Sequence, residues 1–140
     1  MPVRLIVCHA LVVAGVCLAS PPAGAKRAHD LDAVPAPCEA EIRKILIAEN
    51  WTNPYIMVLR DGFELILYGQ PRTDKVLTLA EIELILLDLP PERWPLGKVV
   101  AVQEISLRGT GDDEKIRKNL NALEFLLQRH KVRIDRWPSG

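Results

Sequence analysis

Apolar residues fall in blocks along this chain, and the spacing within each block names an element. Residues 5–19 form an almost unbroken apolar run interrupted only by His9. Further on, Ile42, Ile45 and Leu46 recur at helical spacing, with Pro37 suited to a first helical position and Glu39 and Glu41 to the positive end of a helix dipole. These signals predict a helix ending near Asn50, ahead of Asn53-Pro54. Residues 55–59 and 63–68 are β-rich runs separated by Arg60-Asp61-Gly62, and Asp-Gly between two such runs predicts a hairpin.

Thr78-Leu79-Ala80-Glu81 reads as a capping box, in which each end side chain satisfies a free backbone amide, so a second helix starts there. Leu79, Ile82, Leu86 and Leu89 lie on one stripe. Leu84, Ile85 and Leu87 widen it, which predicts a helix buried around much of its circumference until Pro90-Pro91 stops it. Val99-Val100-Ala101-Val102 is continuous rather than alternating, the pattern of a central strand covered on both faces. Gly109-Thr110-Gly111 breaks the chain and Asp112 caps a third helix, whose apolar positions are Ile116, Leu120, Leu123, Phe125, Leu126 and Leu127, through about Arg129. Val132 and Ile134, alternating with Arg133 and Asp135, predict a last strand.

The order α-β-β-α-β-α-β predicts the fold class: a single small α/β sandwich with a mixed four-stranded sheet, its last strands parallel and helices packed on it.

The first block does not belong to that fold. A basic start at Arg4, the apolar run, the break at Ser20-Pro21-Pro22 and the small residues Ala23-Gly24-Ala25 together predict a signal peptide over residues 1–25. Residues 26–37 then read as a loose arm and 38–140 as one domain. Export to the periplasm or outside the cell follows, with membrane attachment only if the first segment is retained. Removing it takes away Cys8 and Cys17, so Cys38 becomes the lone cysteine, unable to bridge internally and open to an intermolecular disulfide in a homodimer. Lys plus Arg and Asp plus Glu each total 18 of 140 residues, so no strong field recruits nucleic acid.

Chemistry is sparse. Cys38 at a helix start is a candidate thiolate, but Glu39 and Glu41 oppose its ionisation. His130 reads as a cation at the negative end of a helix, His29 falls in the arm, and Ser106 and Ser139 lie outside any nucleophile motif, so no triad is expected. Paired-cysteine and His-Glu-x-x-His spacings are absent, so neither a metal nor a cofactor is expected. The loop Arg108-Gly109-Thr110-Gly111-Asp112-Asp113 joins a strand to a helix as a phosphate cradle does, yet its aspartates repel phosphate and cap the helix themselves. Ligands of open α/β sheets bind beyond the carboxyl ends of the strands. There the sequence gathers Glu104, Arg108, Asp112 and Asp113, with Asp135 and Trp137 adjacent, as a candidate rim for a ligand or cation. Trp51, Trp94 and Trp137 all fall near prolines at loop or strand ends, suited to covering core edges or anchoring a partner. Asn50-Trp51-Thr52 fits the glycosylation acceptor pattern.

The hairpin with Asp61-Gly62, then Gly69, the Leu-rich helix over residues 79–89, the Val-rich strand, a helix and a closing strand resemble the periplasmic domain of the ExbD/TolR family. That resemblance covers roughly residues 53–135. It implies a small periplasmic domain, often dimeric, that passes force or position between envelope partners. Family members also carry an aspartate in an N-terminal transmembrane helix, whereas the first acidic residue here is Asp30. The functional expectation is a non-enzymatic exported module that binds a protein or an envelope component. The alternative is a small hydrolase or metal-dependent enzyme built on the carboxylates around Glu104, Asp112 and Asp113.

Overall fold

A computed structural model describes residues 31–105 and 113–138. Its elements run α1 (Glu39–Ile42), β1 (Tyr55–Leu59), β2 (Gly62–Ile66), α2 (Leu79–Asp88), β3 (Val99–Glu104), α3 (Asp113–Arg129) and β4 (Arg133–Trp137). The four strands form one mixed sheet in the order β2-β1-β3-β4. β1 and β2 pair antiparallel, while β1 with β3 and β3 with β4 pair parallel. The α/β class and the mixed four-stranded sheet expected from the sequence are therefore present.

Arg60 and Asp61 alone form the hairpin turn, and Gly62 is already the first residue of β2. Its φ of 150° is one that side-chain-bearing residues rarely adopt, and a Cβ there would sit 2.5 Å from the carbonyl oxygen of Leu77. That closeness has a purpose. Phe63 and Leu77 exchange both backbone hydrogen bonds, at 2.9 and 2.7 Å, laying the segment before α2 along the outer edge of β2.

Strand alternation sends Ile56, Val58, Phe63, Leu65, Val100 and Val102 to one face, where α2 supplies Ile82 and Leu86 and α3 supplies Ile116, Leu120, Leu123 and Leu127. Ile56, Val58, Ile82, Val100 and Leu123 are fully inaccessible. Each such burial stabilises by roughly 1.5–3 kcal/mol. Leu31 and Val34 also enter this core. The predicted capping box is intact: the Glu81 amide donates to Thr78 Oγ1 and the Thr78 amide donates to Glu81 Oε2. These bonds and Lys75 pull the Glu81 carboxyl down to about 2. At its other end α3 closes with the Val132 amide donating to the Leu127 carbonyl over Lys131, whose φ is 55°.

The helices differ from expectation at a few positions. The predicted first helix stops at Ile42, and the chain re-coils only as a single 3-10 turn at Ala48–Asn50. Helices hold mainly by packing an apolar face, and beyond Ile42 only Ile45 finds partial cover, leaving Leu46 84% and Ile47 52% exposed. α2 buries Ile82 and Leu86 and packs Leu79, Ile85 and Leu87 partly against the core, so of its predicted apolar positions only Leu84 is exposed. Phe125, counted with the apolar face of α3, points outward too.

Candidate functional site

The second face of the sheet carries the alternate residues: Tyr55 and Met57 from β1, Glu64 and Ile66 from β2, Val99, Ala101 and Gln103 from β3, and Arg133, Asp135 and Trp137 from β4. Among the described residues, the only helix on it is the four-residue α1. Ile42 from α1, Trp51 and Leu96 cover Val99, Ala101 and Tyr55 in a second, smaller core, to which Ile45, Met57, Ile66 and Trp137 add partly buried surface. The Trp137 ring meets Trp51 edge-on at a centroid distance of 6.1 Å and Tyr55 at 6.5 Å.

Asn53 fastens this cover. Its amide group is 1% exposed and fully used: Nδ2 donates to the carbonyls of Gly97 and Val99, both at 2.7 Å, and Oδ1 accepts from the Leu96 amide at 2.8 Å. The chain entering β1 is thereby tied to the chain entering β3.

Where the cover ends, over β1 and β2, a groove of about 450 Å³ opens. Trp51, Tyr55, Met57, Ile66 and Tyr68 give it apolar and aromatic walls, and Arg72 and Gln103 give it polar ones. The Tyr55 hydroxyl and Gln103 Oε1 are 2.5 Å apart, and burial pushes that phenol above its ordinary value against the pull of the Arg72 guanidinium. Arg72 grips the buried Glu64 through Nε at 2.5 Å and Nη2 at 3.0 Å, which in turn holds the guanidinium above its usual range. Tyr68, 59% exposed, stands on the rim, and the exposed Leu46 and Ile47 immediately precede the lining residue Ala48. Such a surface offers apolar anchoring with a few directional groups, and Glu49 adds a carboxylate to its lining.

The predicted rim lies elsewhere. Glu104 and Asp113 do come together, lining a recess of about 370 Å³ with Ile116, Arg117, Leu120, Asn121 and Arg136. Arg136 pairs with Glu124 across from α3. Arg108 and Asp112 lie outside the described residues, as do Ser106, Ser139 and the predicted signal segment. Asp135 instead accepts the Trp137 indole N–H at 3.1 Å on the second face, so it does not join Glu104 and Asp113. Among the described residues, no three His, Cys, Asp or Glu side chains cluster as a metal site requires. Cys38 is exposed with a free thiol at the start of α1. His130 Nε2 lies 2.7 Å from Glu83 Oε1, which Arg129 also reaches; His130 and Arg129 hold the Glu83 carboxyl below its ordinary value and link α2 to α3.

Sequence reasoning placed the tryptophans at core edges and missed the groove. Alternation in β1 and β2 names which residues share a face, but only pairing shows that Tyr55, Met57, Ile66 and Gln103 adjoin. No helix among the described residues is long and apolar enough to cross a membrane. No protein-family model, curated protein or solved structure matches the chain.

Proposed function

We propose that this chain is a non-enzymatic, exported interaction module whose loop-covered sheet face docks a protein or other component of the cell envelope. The observation that carries the reading is the aromatic groove between Tyr55, Met57, Ile66 and Tyr68, bordered by exposed Leu46 and Ile47. Rigid aromatic side chains beside a polar rim are what partner anchors use, and an apolar surface left open next to a completed core is a docking signature. The pattern-level resemblance to the ExbD/TolR periplasmic domain supports the same role, and the leader-like residues 1–25 support export. Cys38, free and exposed, suits a covalent link to a second chain in an oxidising compartment.

The test is site-specific photocrosslinking in the source cells. A photoreactive residue at Tyr68 yields one discrete adduct, which Met57→Asp suppresses, while the same group at Phe125 on the opposite side of the molecule yields none. Equal labelling from both positions overturns the assignment of this face. The recess holding Glu104 and Asp113 gives the hydrolase reading its footing; turnover of an ester or phosphoester panel that falls in both Glu104→Gln and Asp113→Asn would establish that reading instead.

A further inference from the structure

The groove over β1 and β2 is unbalanced between hydrogen-bond donors and acceptors. Most of its donors are committed. The Trp51 indole N–H donates to the Pro54 carbonyl at 3.2 Å, and the Asn53 amide protons go to Gly97 and Val99. The Tyr55 hydroxyl donates to Gln103 Oε1, which only accepts, and Gln103 Nε2 donates to the Pro138 carbonyl at 2.8 Å. Arg72 spends Nε and Nη2 on Glu64, while Gln70 and Tyr68 can act either way. Acceptor capacity is what remains: the spare lone pairs of Tyr55 and Gln103 and the whole carboxylate of Glu49.

Charge runs in the same direction. Glu49 is exposed and has no ion-pair partner among the described residues. After burial and Arg72 it is the next influence on the Tyr55 phenol, which puts its carboxylate within electrostatic reach of the groove floor. Arg72 is the single cation among the described lining residues, and its charge is already matched: Glu64 takes it through two bonds and Asp74 adds to that field. Unmatched negative charge thus stands beside an apolar floor. An acidic ligand meets repulsion at Glu49 and few free donors. A basic side chain meets the reverse, with its aliphatic stem along Met57 and Ile66 and its head donating to Glu49 and the Tyr55–Gln103 pair. Tyr68, 59% exposed, offers such a head a ring face. Arginine suits the site better than lysine, because five donors in one plane reach several separate acceptors and a guanidinium sheds water more readily.

We infer that the groove is a receptor for an arginine side chain that a partner protein presents between apolar neighbours, with Glu49 as the counter-charge and exposed Leu46 and Ile47 receiving the neighbours. This rests on the docking role proposed above and specifies what that face recognises.

The test uses the purified protein and capped tripeptides with leucine on either side of arginine, lysine, norleucine or glutamate, followed through backbone amide shifts by NMR. The arginine peptide should move the amides of the groove residues and bind about tenfold more tightly than the norleucine peptide. Glu49→Gln should weaken the arginine peptide about three- to fivefold and leave the norleucine peptide unchanged, and Glu49→Lys should weaken the arginine peptide about tenfold or more. Because Glu49 is exposed and unpaired within the described chain, both variants keep the fold. Equal binding of arginine and norleucine, indifference to both changes at Glu49, a lysine or glutamate peptide that outbinds arginine, or no groove shifts with any peptide overturns the inference. Crosslinking from Tyr68 in the source cells separates this claim from the one it rests on. An adduct that persists in Glu49→Lys sinks the arginine receptor and leaves docking standing, whereas no adduct in the parent removes both.

Discussion

The two faces of the sheet are built from the same strands and stabilised in different ways. One is sealed by α2 and α3 with interdigitated aliphatic side chains, and its centre is inaccessible. The other is covered by a four-residue helix and connecting loops, held by a buried amide and an aromatic cluster, and stops short of β2. Strength on the first face comes from area removed from water, and on the second from satisfied polar geometry. The loop-covered face is accordingly where surface is left over for a partner.

Four substitutions can break or sharpen that contrast, and each is followed by denaturant titration. Ile82→Ala on the helix-covered face removes a fully buried aliphatic side chain and leaves a void, so it should cost about 3–4 kcal/mol with little change in the slope of the transition. A loss below about 1 kcal/mol would mean that α2 collapses onto the sheet and that the first face is not tightly packed. Asn53→Ala should cost about 2–3 kcal/mol, nearly all of it from the carbonyls of Gly97 and Val99 and the Leu96 amide left without partners. Asn53→Leu should be no better, because an apolar side chain of similar volume satisfies none of them. If either variant were neutral, the loop-covered face would owe its order to the aromatic cluster and not to Asn53.

The smallest effect is pH-dependent. Glu81 titrates near 2 in the folded state, well below its unfolded value of about 4.5, so its contribution is present above pH 4.5 and disappears as the pH falls toward 2. Glu81→Gln should therefore lower the urea midpoint at pH 7 and leave it unchanged at pH 2. An equal shift at both pH values would locate the cap's effect in hydrogen bonding without charge.

What the sequence made legible tracks the same contrast. The helix-covered face announces itself locally: the Thr78–Glu81 box, the stripe of Ile82 and Leu86, the continuous Val99–Val102 run and the period of α3 all lie within single elements. The loop-covered face is made by residues distant in sequence. Nothing near Asn53 indicates that its partners are Leu96, Gly97 and Val99, and nothing near Tyr55 indicates that Gln103 and Trp137 will adjoin it. Helical spacing after Ile42 misled because periodicity specifies a face without guaranteeing anything to pack on it. Of the predicted rim, Glu104 and Asp113 do share a recess, as position at the strand ends implies, while Asp135 is drawn away by its alternation onto the opposite face.

The Asn53 bonds span 43 to 46 residues. None can form until β3 has been laid beside β1, so the entropy of closing that long loop is spent before the amide contributes anything. The helix-covered face can gather earlier from the β1–β2 hairpin and the locally encoded helices. Asn53 therefore acts as a latch on a nearly finished fold: its loss speeds unfolding and leaves the refolding rate almost unchanged.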